Sequence, residues 1–175
     1  DRKGRVQGAH LMHQTESHRI IEEFMLAANE ATAETLRQQG APFLRRIHEA
    51  PDPHKLRELS QFVRELGMRC GDLGDRFEVR RILAQAAGRP EEHALNYAVL
   101  RSMQKAVYSP AEEGHYALSS SAYCHFTSPI RRYPDLTIHR MLDQWLRRRR
   151  PTVDLAQQTS LGDHCSQCEQ RAEAA

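Results

Sequence analysis

The stretch TESHRIIEEFMLAANEATAETLRQQG, residues 15–40, constrains the fold more than any other. Apolar Ile21, Phe24, Met25, Ala28 and Ala31 recur at steps of three and four, the spacing of one face of a helix. Thr15 or Ser17 suits the N-cap, and Gly40 suits the stop. A long amphipathic helix must bury its stripe, so the rest of the chain has to supply a surface for it.

Further helices read off in the same way. DPHKLRELSQFVRELG carries a stripe of Leu56, Leu59, Phe62, Val63 and Leu66 that ends at Gly67. EVRRILAQAAG and EEHALNYAVLRSM form two more, separated by Gly88 and Pro90. Ile138, Met141, Leu142, Trp145 and Leu146 mark another, whose first turn accommodates Pro134. A last helix starts near Asp154 and runs to the end of the chain.

Strands are fewer. APFLRRIHEA reads as a short one between Pro42 and Pro51. HYALSSSAYCHFT alternates: Tyr116, Leu118, Ala122, Cys124 and Phe126 fall on one side, and Ser119, Ser121, Tyr123, His125 and Thr127 on the other. That pattern predicts a half-buried strand ending at Thr127. The fold class is therefore α+β, with helices packed on a partly antiparallel sheet.

With 175 residues the chain fits one domain or a piece of a larger one. It begins with Asp rather than Met and shows no signal peptide, so its start reads as cut or processed. No apolar run reaches the roughly 18 residues a membrane helix needs, and no membrane partner is expected. Four cysteines are too sparse for a disulfide scaffold and fit a reducing compartment such as the cytoplasm. HCSQC, residues 164–168, invites a metal reading, but no second pair lies at a zinc spacing.

Net charge is only +2, but its distribution is uneven. Between Arg131 and Arg150 seven arginines stand against two aspartates, a local +5 ending in the basic run RRRRPTVD. Within that region HFTSPIRRYPDL leads from the strand through a Ser128–Pro129 turn to Arg131, Arg132 and Tyr133, and then into a helix. Arginines beside free helix N–H groups make an anion site, and the guanidinium fork matches phosphate oxygens. Tyr123 and His125 on the polar side could stack on a base or bond a ribose, with Thr127 and Ser128 beside them. Equally, Arg131 or Arg132 could pair with Asp135, and Tyr123 and His125 could pack against a sheet edge. On the first helix His18, Glu22, Met25 and Asn29 fall on one line. Glu22 could accept from a substrate hydroxyl or from an arginine of the fold.

HFTSPIRRYPDLTIHRML resembles the signature of the RNB family, the 3′→5′ exoribonucleases of the ribonuclease II and ribonuclease R type. HQTESHRIIEEFMLAAN, APFLRRIHEAPDPHKLREL, LGDHCSQCEQRAEAA and the block RSMQKAVYSPAEEGHYALSSSAYCHFTSPIRRY resemble further family stretches in the family's order, closest to the ribonuclease R branch. The resemblance implies processive release of nucleoside 5′-monophosphates from the 3′ end of single-stranded RNA, with magnesium. It gives Arg131 the role of contacting the scissile phosphate and Glu22 that of contacting the terminal ribose. Tyr123, His125, Thr127, Ser128, Arg132 and Tyr133 join Glu22 as candidate substrate-binding residues.

The departures are as informative. The family's cluster of closely spaced aspartates has no counterpart here, so the magnesium ligands are not expected in this chain. Its aromatic clamp belongs upstream. Its catalytic glutamate follows RRADEA, whereas QRAEAA ends this sequence and neither Glu169 nor Glu173 matches it. The flanking cold-shock-like and S1 barrels are missing too. The expectation is the C-terminal part of an RNB catalytic domain, incomplete, inactive alone, and needing the missing N-terminal part and barrels as partners. A non-catalytic RNA-binding module is the alternative.

Overall fold

The computed structural model describes residues 14–147 and 153–174, together with Gly8. The basic run at 148–152 and most of the N-terminal residues lie outside that description. Helix α1 spans Glu16–Gln38. Strand β1 (Arg45–Ile47) leads to helices α2 (Pro53–Glu65), α3 (Arg76–Ala86) and α4 (Glu92–Ser102). Strand β2 (Val107–Ser109), a 3₁₀ turn (Tyr116–Leu118), and helices α5 (Tyr133–Leu146) and α6 (Leu155–Glu173) complete the order.

Local chemistry sets the boundaries. Asp52, Asp75 and Asp154 cap α2, α3 and α6, each side chain accepting a backbone N–H two residues on. Pro53 and Pro134 occupy first turns, where their missing N–H costs nothing. Gly40 and Gly67, just past α1 and α2, have φ of +65° and +73°, a region that disfavours any side chain.

Two apolar clusters hold the chain. Leu59, Val63, Leu73, Ile82, Leu95 and Val99 knit α2, α3 and α4 into a three-helix unit. Ala33 and Leu36 of α1 meet Phe43, Ala122, Cys124 and Ile138 and Met141 of α5 in the second. Between them β1 and β2 pair antiparallel, Arg46 opposite Tyr108. Helix α6 lies against β2 so closely that a Cβ on Gly162 would stand 2.6 Å from the Tyr108 carbonyl oxygen.

Two expectations need correction. Residues 115–127 form no strand: Ser119 adopts a left-handed φ of 55°, and the chain folds back so that His115 and Ser120 bond each other. Hydroxyl-rich SSS favours such local turns, and the alternation in the sequence is not one of burial, since Ala122, Tyr123 and Cys124 are all buried in a pinned loop. The α1 stripe is displaced. Asn29, Thr32, Ala33 and Leu36 are buried, while Ile20, Ile21, Phe24 and Met25 are exposed. Only the C-terminal half of α1 reaches the second core. Each strand of the small sheet bonds a neighbour outside it. The Arg46 N–H donates to the Tyr123 carbonyl at 2.9 Å, and the Tyr108 N–H to Ser166 Oγ of α6 at 2.9 Å.

Candidate nucleic-acid interface

The loop from Ala122 to Arg132 carries most of the candidate residues, and side chains from elsewhere pin it along its length. Asn29 is the first pin. Buried in α1, it donates to the Tyr123 hydroxyl and accepts the Phe126 N–H, both at 2.9 Å. The Cys124 thiol reaches the Asn29 carbonyl at 3.6 Å. One amide side chain thus does the work of a neighbouring strand.

Tyr108 is the second pin. Its hydroxyl meets His125 Nδ1 at 2.9 Å. The Arg46 guanidinium lies 4.5 Å over the Tyr108 ring and makes a two-pronged ion pair with Glu169 of α6, at 2.6 and 3.1 Å. Burial pushes the Tyr108 phenol up to about 12. Burial, with Arg132, Arg46, His115 and Arg131 adding positive charge, pushes His125 down to about 3. His125 is therefore neutral at physiological pH.

At the helix entrance the two arginines part company. Asp135 is wholly buried in the first turn of α5. Its Oδ1 accepts the Ser128 N–H at 2.8 Å and an Arg132 terminal nitrogen at 2.7 Å. Its Oδ2 and Arg132 Nε are buried without partners among the described residues. The Ser128 carbonyl accepts the Arg131 and Arg132 N–H groups, closing the turn. His139 holds the Phe126 carbonyl at 2.9 Å and stacks on the Phe126 ring at 4.3 Å. Arg131 is exposed, and among the described residues its guanidinium makes no hydrogen bond or ion pair. Ile130 and Tyr133 flank it at the surface.

The candidates therefore fall into three groups. Arg131 and Tyr133 are displayed. Thr127 and Ser128 are half-buried in the turn, and Tyr123, His125 and Arg132 are bonded into the protein. Glu22 lies on the exposed half of α1, its carboxylate accepting from Gln14 at 2.9 Å, two turns or about 10 Å along the helix from Asn29. Sequence reasoning missed Arg46, Tyr108 and the bracing use of Asn29, because those contacts join residues far apart in the chain. The only available signal was Asn29's place on the line with Glu22. Cys165 and Cys168 sit on one face of α6, and Cys168 Sγ meets His164 Nε2 at 3.6 Å. Among the described residues no three His, Cys, Asp or Glu side chains converge to hold a cation.

A family model for the RNB domain matches residues 1–148. The chain belongs to the RNB family. Among its relatives, ribonuclease R of Aquifex aeolicus is 41% identical, over 91% of this chain and 23% of that protein. RNase R of Mycoplasma genitalium in complex with ribose-methylated single-stranded RNA superposes with a TM-score of 0.78 at 29% identity, over 90% of this chain and 26% of that one. Yeast Ssd1, a pseudonuclease, shares the fold at a TM-score of 0.71 and 23% identity, over 87% of this chain and 20% of that one. The chain thus spans about a quarter of the length of its ribonuclease R relatives. The α+β architecture, six helices around a two-stranded antiparallel ribbon, is that of the corresponding part of an RNB domain. Among the described residues no helix is long and apolar enough to cross a membrane.

Proposed function

We propose that this chain is the part of a longer RNB exoribonuclease that grips the 3′ end of single-stranded RNA while the parent enzyme releases nucleoside 5′-monophosphates. Membership of the family, and relatives named ribonuclease R, support that reading. So do RNase R structures described in complex with single-stranded and double-stranded RNA. The observation that carries it is the division of labour between neighbouring arginines. Arg132 is committed to Asp135, whereas Arg131 has no partner among the described residues and stands exposed beside it.

In this reading Arg131 contacts the scissile phosphate and offsets the charge that grows on its oxygens during cleavage. Tyr133, beside it at the surface, offers a face for a base. Glu22 accepts from the hydroxyls of the terminal ribose. Thr127 and Ser128 form the turn that aims Arg131. Tyr123, His125 and Arg132 act as positioning residues by fixing the loop from behind. The family resemblance implies magnesium in the parent enzyme. The described residues do not fit that group, so their contribution is charge and position.

Arg131→Ala in the intact enzyme is expected to lower kcat by about 10²–10³-fold with little change in KM. Unchanged kcat with altered affinity alone would refute the role. Glu22→Ala should reduce the ratio of RNA to DNA cleavage rates, and an unchanged ratio would remove Glu22 from the ribose contact. The 175 residues alone are expected to bind RNA at low salt without cleaving it. The second reading is an RNA-binding module without hydrolysis. Release of monophosphates by the intact protein would exclude it.

A further inference from the structure

Arg45 is anomalous for a buried cation. Only 3% of the residue is exposed, yet none of its donors makes a hydrogen bond among the described residues, and Nε is sealed off without a partner. Among the described residues its ion-pair partner is Glu112, at 3.7 Å, on a side chain that is 84% exposed, with Glu34 acting from farther away. The guanidinium lies 4.5 Å over the Phe43 ring, so one face is covered by an apolar surface. A charge taken out of water with so little compensation is costly, and burial pushes its pKa down.

The same side chain lines a cavity of about 650 Å³ between the end of α1, the β1–β2 ribbon and the first turn of α6. Arg37, Ser109, Glu112, Leu155 and Thr159 also line it. Ser109 Oγ accepts the Ala111 N–H at 3.2 Å, which leaves its own proton free to donate. Leu155 brings in the start of α6, whose first-turn Ala156 N–H is already capped by the Asp154 carboxylate at 2.9 Å. Arg37 is held by Glu34 at 2.7 and 2.8 Å and Thr159 Oγ1 donates to the Leu155 carbonyl at 2.9 Å, so among the described lining residues the Arg45 fork and the Ser109 hydroxyl are the donors left for an anion with several oxygens.

We propose that this cavity is a binding site for a phosphate group, anchored by Arg45. It is separate from the Arg131 loop and does not depend on the exoribonuclease reading. In the unliganded protein Glu112 stands in for the anion, loosely and from solvent. The phosphate could be free or part of an RNA backbone, and the chemistry recognised is the same.

The test is an NMR titration of the arginine Nε–Hε resonances with inorganic phosphate, against chloride at matched ionic strength. One resonance is expected to shift saturably with phosphate and to be missing from Arg45→Met. Glu112→Gln removes the competing carboxylate and should tighten binding roughly tenfold, the scale of one near-surface charge. If Arg45→Met does not fold, the Glu112→Gln comparison decides alone. Loss of stability in Glu112→Gln without tighter binding would make Glu112 a structural counter-ion and overturn the proposal. So would the lack of a saturable shift, or the same shift in a folded Arg45→Met. A short oligoribonucleotide lacking terminal phosphates forms the second arm. If it displaces inorganic phosphate from the same resonance, the site belongs to the strand backbone; if it does not, to the free anion.

Discussion

Asp135 shows how much one residue can organise. Its buried carboxylate fixes the Ser128 turn and the Arg132 side chain through a single oxygen. Asp135→Ala strands the Arg132 guanidinium in a mostly buried position and releases the turn. Removing one partner of a buried ion pair costs about 3 kcal/mol, to be read from urea denaturation. Arg131→Ala, which removes an exposed group, should stay within about 0.5 kcal/mol of the parent in the same experiment. The histidines behind the loop make stability pH-dependent. His125 titrates at about 3 and His115 at about 4 in the folded chain, both held down mainly by burial, against an ordinary value of 6.5. Between those values the unfolded chain binds more protons than the folded one. The neutral histidines' contribution is therefore complete above about pH 6.5 and drains away as pH falls toward 4. Melting temperature should drop across that window, and His125→Gln should flatten the slope; a parent curve level across the window would contradict the burial argument.

At the scale of elements, Asn29 joins α1 to the loop. Asn29→Ala leaves the Tyr123 hydroxyl and the Phe126 N–H without partners, a loss of about 2–3 kcal/mol in thermal or chemical unfolding. Gly162→Ala forces α6 away from β2, since its Cβ would meet the Tyr108 carbonyl oxygen at 2.6 Å. That should cost about 1–3 kcal/mol, and an unaffected midpoint would mean that α6 can shift freely. These two contacts also explain what could be read from the chain. The helices were legible because glycines, helix starts and apolar spacing are local signals: Gly40, Gly67 and the start near Asp154 mark boundaries the structure keeps. The Tyr116–Thr127 segment was not legible as a loop, because distant Asn29, Tyr108 and His139 side chains hold it. At the site, the arginine pair and the turn before a helix were visible in the sequence. Which arginine Asp135 takes was not, since spacings of three and four residues are both within reach on a helix entrance.

The whole molecule is built as two cores joined by a short ribbon, with an apolar strip left uncovered. Ile20, Ile21, Phe24 and Met25 on α1 lie at the surface. Patches of that kind promote association. The isolated 175 residues should self-associate at micromolar concentration in light scattering, and Ile21→Glu with Phe24→Glu should shift them toward monomer. Unchanged scattering by the double variant would show that this strip is not what brings copies together. The family relationship and the geometry meet at Arg131. The fold spends Asp135, Ser128 and Arg132 on building a rigid turn, and that turn displays the Arg131 guanidinium, which has no hydrogen bond or ion pair among the described residues. The most direct test measures kcat and melting temperature together for Arg131→Ala in the intact enzyme. The account predicts a fall in kcat of about 10²–10³-fold at an unchanged melting temperature. Full activity, or a fall that merely follows lost stability, would contradict it.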